Sequence, residues 1–358
     1  MVAPFSDLSS QSSADLQEQL TDIVSQLPTA EHGGLIQQIL ETLVRMIGRE
    51  ADRLDWKILN AALLDMEKGF QGFYPHRHVR KIAVFGSART PETEADYQLA
   101  KAFGELAASK GFMVMTGAGG GIMQAANEGA GLENSFGLNI QLPFEQGAND
   151  ILEGSDRLFS FKYFFTRKLF FLKETDAIAL FPGGFGTQDE AFETLTLIQT
   201  GKSSPVPIVL VDHPNGDYWT NWDRYIRDNL LDRKLISADD PSLYKITDNL
   251  DEGWSAITHF YRVFHSMRYV GERLIIRLNC HLKDGGLDQL NSQFSDILVQ
   301  GKIAAVSALP EEQGDETEHL PRLALYFNHR DIGRLYQFID VINDLGVPSP
   351  AIEHPEKK

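Results

Sequence analysis

The hydrophobic positions of this chain change their period twice. Between Ala14 and about Phe73 they recur at helical spacing, first as Leu16, Leu20, Ile23, Val24 and Leu27, then as Leu35, Ile39, Leu43, Val44 and Ile47. A third set is Leu54, Ile58, Leu59, Ala62, Leu63 and Met66. Pro28 and the pair Gly33–Gly34 separate the first two sets. Three amphipathic helices are expected there, behind a polar leader over residues 1–13. From Lys81 the period shortens. "KIAVF", "FMVMT", "FGLNIQL", "AIALF" and "VPIVLV" are brief apolar runs beside glycine or proline, with helical patterns such as "ADYQLAKAFGELAASKG" and "EAFETLTLIQTGK" between them. Strands alternating with helices predict βαβ units and a doubly wound, Rossmann-like parallel sheet.

Beyond about Ser203 the pattern predicts helices over Trp219–Asn229 and around Trp254–Phe264. From Glu272 it changes again: "RLIIRLN", a helix over 287–298, "IAAVSAL", "RLALYFN" and a helix over 332–345 read as a small β-α-β-β-α module, with the acidic "PEEQGDETEHLP" as a surface loop. The expected organisation is a helical N-terminal extension (1–80), a nucleotide-binding catalytic domain (81–265) and a C-terminal α/β module (272–347).

In an open parallel sheet, ligands sit beyond the carboxyl ends of the strands. Three glycine clusters fall there: "FGSART" after the first strand, "TGAGGGIM" after the second and "FPGGFGT" after the fourth. Glycines such as Gly183, Gly184 and Gly186 let the chain turn tightly and let a ligand approach the backbone. The helix starting behind them offers unpaired N–H groups that favour an anion, most naturally a phosphate. Glu190, with Asp189 and Glu193 near it, lies one turn into that helix. An acid there is either dipole compensation or a catalytic group. Upstream, Arg167 and Lys168 stand among Phe164, Phe165, Leu169, Phe170, Phe171 and Leu172. In so apolar a helix a basic pair either snorkels to solvent or faces a partner, and this helix feeds the strand leading to "PGGFGT". Arg is suited to a bidentate grip on phosphate or ribose oxygens.

Composition narrows the classes. The chain has 358 residues, a formal charge of −17 and 23% charged residues. That charge argues against nucleic acid or an anionic membrane as the main partner, though local cations can still hold a small anion. Cys280 is the only cysteine, so an intrachain disulfide and a thiolate-rich metal site are excluded. No apolar run approaches the roughly 20 residues of a membrane span. The opening "MVAPFSDLSSQSSADLQ" has neither a basic nor an apolar targeting region, so a cytoplasmic protein is expected. No GxxxxGK[ST] is present, "TGAGGGIM" is not a clean GxGxxG, and His76 and His78 lack metal-ligand spacing.

"PGGFGTQDE" fits the pattern PGGxGTxxE, and "TRKLFF" supplies an Arg–Lys pair upstream. With "FGSART" and "TGAGGGIMQAANEGA" these stretches resemble the LOG family, the cytokinin riboside 5′-monophosphate phosphoribohydrolases, over about Lys81–Asp212. Members are often labelled lysine decarboxylases. The resemblance implies a Rossmann-like homodimer or higher oligomer, of a longer bacterial type, that hydrolyses the N-glycosidic bond of a nucleoside 5′-monophosphate to free base and ribose 5-phosphate. An AMP-like substrate is expected, with no cofactor and no metal. It implies Arg167 and Glu190 as the catalytic pair. Gly183, Gly184, Gly186 and Thr187 would hold the phosphate, with Gly86, Ser87, Gly117, Gly119, Gly120, Gly121 and Lys168 completing the substrate site. Plant-like members carry Met where this chain has Phe164 and Phe171. Rival readings are a non-catalytic nucleotide sensor using the same cleft, an NAD(P)-dependent oxidoreductase and a pyridoxal-phosphate lysine decarboxylase.

Overall fold

The computed structural model describes residues 32–47, 51–142 and 147–347, with position 22. The expected leader and the first amphipathic set, Leu16 to Leu27, lie outside the described residues. The chain divides into two compact units, residues 1–64 and 65–358. In the first, α1 (Gly33–Ile47) and the beginning of α2 (Arg53–Phe73) occupy the second and third helical stretches read from the sequence. Leu35, Ile39 and Leu54 are exposed.

The second unit is built on a seven-stranded parallel sheet: β1 (Lys81–Phe85), β2 (Met113–Thr116), β3 (Ser135–Ile140), β4 (Leu158–Phe161), β5 (Ala177–Leu180), β6 (Ile208–Val211) and β7 (Lys245–Thr247). Their spatial order is β4-β3-β2-β1-β5-β6-β7. β1 lies between β2 and β5, in register Ile82–Val114 on one side and Ile82–Ala177 on the other. The strand order therefore reverses between β1 and β5, and a crevice opens beyond their carboxyl ends. β1, β2, β5 and β6 are buried along their whole length, as expected for strands covered on both faces.

Five helices flank the sheet: α3 (Ala95–Ser109), α4 (Ile122–Ala130), α5 (Phe164–Glu174), α6 (Phe185–Gln199) and α7 (Tyr218–Ile226), followed by α8 (Leu250–Phe260). Phe103, Val84, Ala179 and Ile257 belong to one core, and Phe73, Phe136, Phe170 and Ile178 to the other. This is the Rossmann-like architecture expected from the pattern. Two short strands, β4 and β7, had no expectation attached to them.

The small C-terminal α/β module is present, with one strand more than the pattern predicts. It is a four-stranded antiparallel sheet of order β10-β11-β9-β8, made from β8 (Phe264–Val270), β9 (Arg273–Leu278), β10 (Leu298–Val306) and β11 (Arg322–Phe327), with α9 (Gly286–Gln293) and α10 (Ile332–Asp344). β8 takes the end of the apolar stretch that the pattern assigns to a helix reaching Phe264. The helix stops at Phe260, and Phe264 and Met267 pair with Leu278 and Ile276. Asn343 of α10 locks this junction, accepting from the N–H of Val263 and Phe264 (2.8 and 2.9 Å) and donating to the carbonyl of Phe260 (2.8 Å).

α5 also differs from expectation. Only Phe170 and Phe171 of its six large apolar residues are fully buried, whereas Phe164, Phe165 and Leu169 are about half exposed. One face packs on Phe161 and Phe73, and on the other Phe165 stacks on Tyr163 and Arg167 lies over Phe164, leaving the row about half open. The start of α5 is held from a distance. Asp65, almost fully buried, accepts hydrogen bonds from the N–H of Lys162 (2.9 Å) and Tyr163 (3.3 Å) and from the hydroxyl of Thr166 (2.7 Å). The helix has no side-chain cap of its own, so this carboxylate satisfies donors that would otherwise be orphaned. Asp65→Ala should lower folding stability by about 2–3 kcal/mol, read as a lower urea midpoint with an unchanged slope. A loss below about 0.5 kcal/mol would show that solvent replaces the cap.

Candidate active site

The loops after β1, β2 and β5 meet beyond the sheet. The N–H of Ser87 donates to the carbonyl of Pro182 (3.0 Å), and the N–H of Ile122 donates to the carbonyl of Ser87 (3.0 Å). These two bonds tie the three glycine clusters together. They leave a cleft of about 760 Å³ lined by Phe85 to Arg89, Gly117, Met123, Arg167, Phe171, Gly183 to Gln188 and Glu190. The volume suits a small-molecule ligand.

The glycines act here by sterics more than by torsion. A Cβ at Gly183 would stand 2.1 Å from Thr187 Oγ1 and 2.9 Å from the Ser87 nitrogen, so a side chain there would break the seam between β1 and β5. At Gly184 and Gly186 a Cβ would meet nothing within 4 Å, so their absence leaves open space for a ligand to reach the backbone. Gly184 lies before the first turn of α6, at φ −86°, and no side chain caps that helix. Its leading N–H groups therefore border the cleft without an intrahelical acceptor. A left-handed backbone position occurs in the second cluster. Gly121 has φ +61°, and a Cβ there would lie 2.2 Å from the carbonyl of Ser87.

Arg167 comes from α5 and Glu190 from the second turn of α6, and they meet: Nη2 donates to Oε1 at 3.2 Å. Both side chains are largely buried. Burial holds the Glu190 carboxyl above the usual carboxylate range, against the opposing pull of Arg167 and Lys168. The same burial lowers the guanidinium of Arg167 from its ordinary value, with Glu190 acting the other way. Arg167 also lies over the rings of Phe164 and Phe171, at 5.0 and 5.7 Å. Its Nε is buried and has no hydrogen-bond partner among the described residues. The basic residue does not snorkel; it is paired in the cleft.

Of the other residues singled out from sequence, Gly86, Ser87, Gly117, Gly183, Gly184, Gly186 and Thr187 line the cleft with Arg167 and Glu190. Lys168 does not. Its ammonium pairs with Asp189 at 2.8 Å and with Glu193. Burial alone would lower its pKa, but the bonds to these two carboxylates raise it overall. Gly119, Gly120 and Gly121 are likewise outside the lining, packed against Met123, Ala88 and Ser87. Among the described residues no group of three or more His, Cys, Asp or Glu could hold a metal, and no helix is long and apolar enough to cross a membrane.

Sequence reasoning missed the support behind the glycine turn. The hydroxyl of Tyr218 on α7 donates to the carbonyl of Gly183 (2.5 Å) and accepts from the amide of Gln188 (2.7 Å). The Gln188 oxygen accepts from the indole N–H of Trp222 (2.8 Å). The aromatic cluster "YWTNW" was the available signal, since Tyr and Trp in a partly buried helix need partners for their polar ends.

The family model described as "Possible lysine decarboxylase" matches residues 115–257, which takes in the second and third glycine clusters and the Arg–Lys pair. Solved structures that resemble the chain include TM1055, a structural-genomics target (21% identity, TM-score 0.36, covering 50% of this chain and 98% of that one). A molybdenum cofactor binding protein from Rippkaea orientalis is similar at 19% identity (TM-score 0.35, 51% of this chain and 96% of that one). So is the DNA processing protein A of Helicobacter pylori, at 17% identity (TM-score 0.35, 49% and 78%). No curated protein matches the chain.

Tyr218→Phe leaves the Gly183 carbonyl and the Gln188 amide short of a partner. It should cost about 1 kcal/mol of stability and raise amide hydrogen exchange most over residues 183–188. Unchanged exchange in that stretch would show that the turn does not depend on α7.

Proposed function

We propose, from the premise that residues 115–257 are of the LOG type described as possible lysine decarboxylase, that this protein is a nucleoside 5′-monophosphate phosphoribohydrolase acting on an AMP-like substrate. The observation that carries the reading is the Arg167–Glu190 pair, buried in the same cleft as the uncapped start of α6. An anion site and a carboxylate one turn apart suit a ribose phosphate lying between them.

In the proposed reaction the bond from C1′ to the base nitrogen breaks, a water oxygen bonds to C1′, and one water proton ends on the departing base. The state between is oxocarbenium-like, and an ionised carboxylate beside C1′ stabilises it. Glu190 is the only carboxylate lining the cleft among the described residues, so both charge stabilisation and orientation of the water fall to it. Arg167 keeps that carboxylate in place and has an unused Nε–H for a sugar hydroxyl or phosphate oxygen. Binding the 5′-phosphate at the glycine turn spends remote binding energy on aligning the ribose. We assign no cofactor or metal to this chemistry.

A Schiff-base decarboxylase needs a lysine that can lose its proton. The raised pKa of Lys168 between two carboxylates argues against that role. A non-catalytic nucleotide sensor would have no use for a carboxylate kept at a desolvation cost. The exposed row Phe164, Phe165 and Leu169 supports a homodimer or higher homo-oligomer as part of the proposal; the formal charge of −17 speaks against nucleic acid or an anionic membrane as partner, and the proposal takes the setting to be cytoplasmic.

The test is incubation of the purified protein with a nucleotide panel, following free base and ribose 5-phosphate. AMP should be turned over far better than adenosine, in kcat as well as KM, and equal kcat/KM for the two would sink the reading. Glu190→Gln should cut base release by roughly 10²–10³-fold, by analogy with other lost transition-state stabilisers, while nucleotide binding persists. Near-normal turnover in that variant would remove Glu190 from the catalytic role, whereas nucleotide binding by wild type without release of base would favour the sensor. Because burial raises the Glu190 pKa and the ionised form is the active one, kcat/KM should climb with pH on the acid side. Its midpoint should lie above the ordinary glutamate range of about 4.3, and a rate flat across that limb would remove Glu190 from the chemistry.

A further inference from the structure

The paired charges lining the cleft, Arg167 and Glu190, leave no net positive charge to set against a phosphate monoester. Arg167 is committed to Glu190, so that pair contributes no net charge. Lys168, the next cation on α5, is held by Asp189 and Glu193 and stays outside the lining. A dianionic phosphate entering a protein of formal charge −17 would meet only backbone N–H groups and a neutral pair. One lining cation remains. Arg89 is exposed, and its side chain makes no ion pair or hydrogen bond with any described residue.

We infer that Arg89 is the phosphate-recognising residue of this cleft, clamping the 5′-phosphate against the N-terminal turn of α6. The inference rests on the phosphoribohydrolase reading above. Its geometric support is the platform from which the side chain leaves. The segment Gly86–Arg89 is pinned on one side by the Ser87 N–H on the Pro182 carbonyl. On the other it is pinned by the Ile122 N–H on the Ser87 carbonyl. Gly120 and Gly121 press against it, so that a Cβ on them would stand 3.4 Å from the Ala88 oxygen and 2.7 Å from the Ala88 carbonyl carbon. The Ser87 hydroxyl accepts the N–H of Arg89 itself, at 3.1 Å. A rigid backbone thus carries a free guanidinium at the lip of the cleft, joined through Ser87 to the glycine turn. Arg suits this role because its planar fork can bond two phosphate oxygens at once. Gly120 and Gly121 then gain a purpose as the packing surface that fixes the Arg89 loop.

The experiment compares wild type, Arg89→Ala and Arg89→Lys in AMP and adenosine hydrolysis, with calorimetric binding of ribose 5-phosphate as an activity-independent readout. Arg89→Ala should lower the kcat/KM ratio of AMP over adenosine by 30-fold or more. It should weaken ribose 5-phosphate by a similar factor, and Arg89→Lys should restore part of both. Loss of ribose 5-phosphate binding would support the assignment even if wild type released no base, and that result would defeat only the hydrolase reading. If wild type hydrolyses AMP and Arg89→Ala matches it in both readouts, the assignment falls and the hydrolase reading stands. An equal loss on AMP and adenosine would also overturn it, because Arg89 would then act on something other than phosphate.

Discussion

The buried contact between Arg167 and Glu190 is the constraint on which the rest of this cleft depends. Each charge is largely withdrawn from water, and each is shifted by that burial toward its neutral form. Removing one partner of such a pair typically costs about 3–5 kcal/mol, because the other is left uncompensated. Two helices from different crossover connections must therefore meet at 3.2 Å without freedom to slide. The fold supplies that rigidity in pieces. β1 and β5 are adjacent and fully buried, Asp65 holds the start of α5, and Tyr218 holds the turn before α6. A buried ion pair is weak evidence for stability in itself. Here it is better understood as a site maintained against its desolvation cost.

The parallel sheet and the convergence of its glycine loops were legible in the sequence because both depend on local pattern. Short apolar runs fully buried on two faces look different from amphipathic helices, and glycine clusters mark strand ends. Arg167 and Glu190 were also legible, since a basic residue in an apolar helix and an acid one turn beyond a glycine-rich helix start each ask for a partner. Burial on α5 was not. Phe164 and Phe165 read like Phe170 and Phe171, and nothing in a 3.6-residue period tells which apolar face meets the sheet and which remains open. Asp65 and Tyr218 escaped notice because their partners are 97 and 35 positions away. Within "TGAGGG" the roles divide: Gly120 and Gly121 pack on the neighbouring loop, while Gly117 lines the cleft.

The C-terminal sheet illustrates another limit. β8 follows α8 after a break of three residues, so one apolar stretch serves a helix and then a strand. The switch is set by Asn343, more than 70 positions on, whose side chain satisfies the N–H groups of Val263 and Phe264 and the carbonyl of Phe260. A buried amide that meets three backbone groups ends the helix as firmly as a local cap would. Tyr336 adds a second tie, its hydroxyl bonded to both backbone groups of Val206 just before β6. The module is thus tied to the N-terminal end of β6, the end of the sheet away from the cleft.

Charge explains why Lys168 belongs beside the site without lining it. Asp189 and Glu193 flank Glu190 on α6, and both push its carboxyl further toward the protonated form. Left alone they would also repel a phosphate approaching the helix start. Lys168 pairs with both, cancelling much of that field, and it favours ionised Glu190 as well. Consecutive residues on α5 therefore divide the work, Arg167 within the cleft and Lys168 behind it. A lysine suits the second task, where a compact charge must satisfy two carboxylates. A planar guanidinium suits the first, with one N–H on Glu190 and another unspent. On this account the paired Arg–Lys is one electrostatic device with two faces, and exchanging the two residues would disable both.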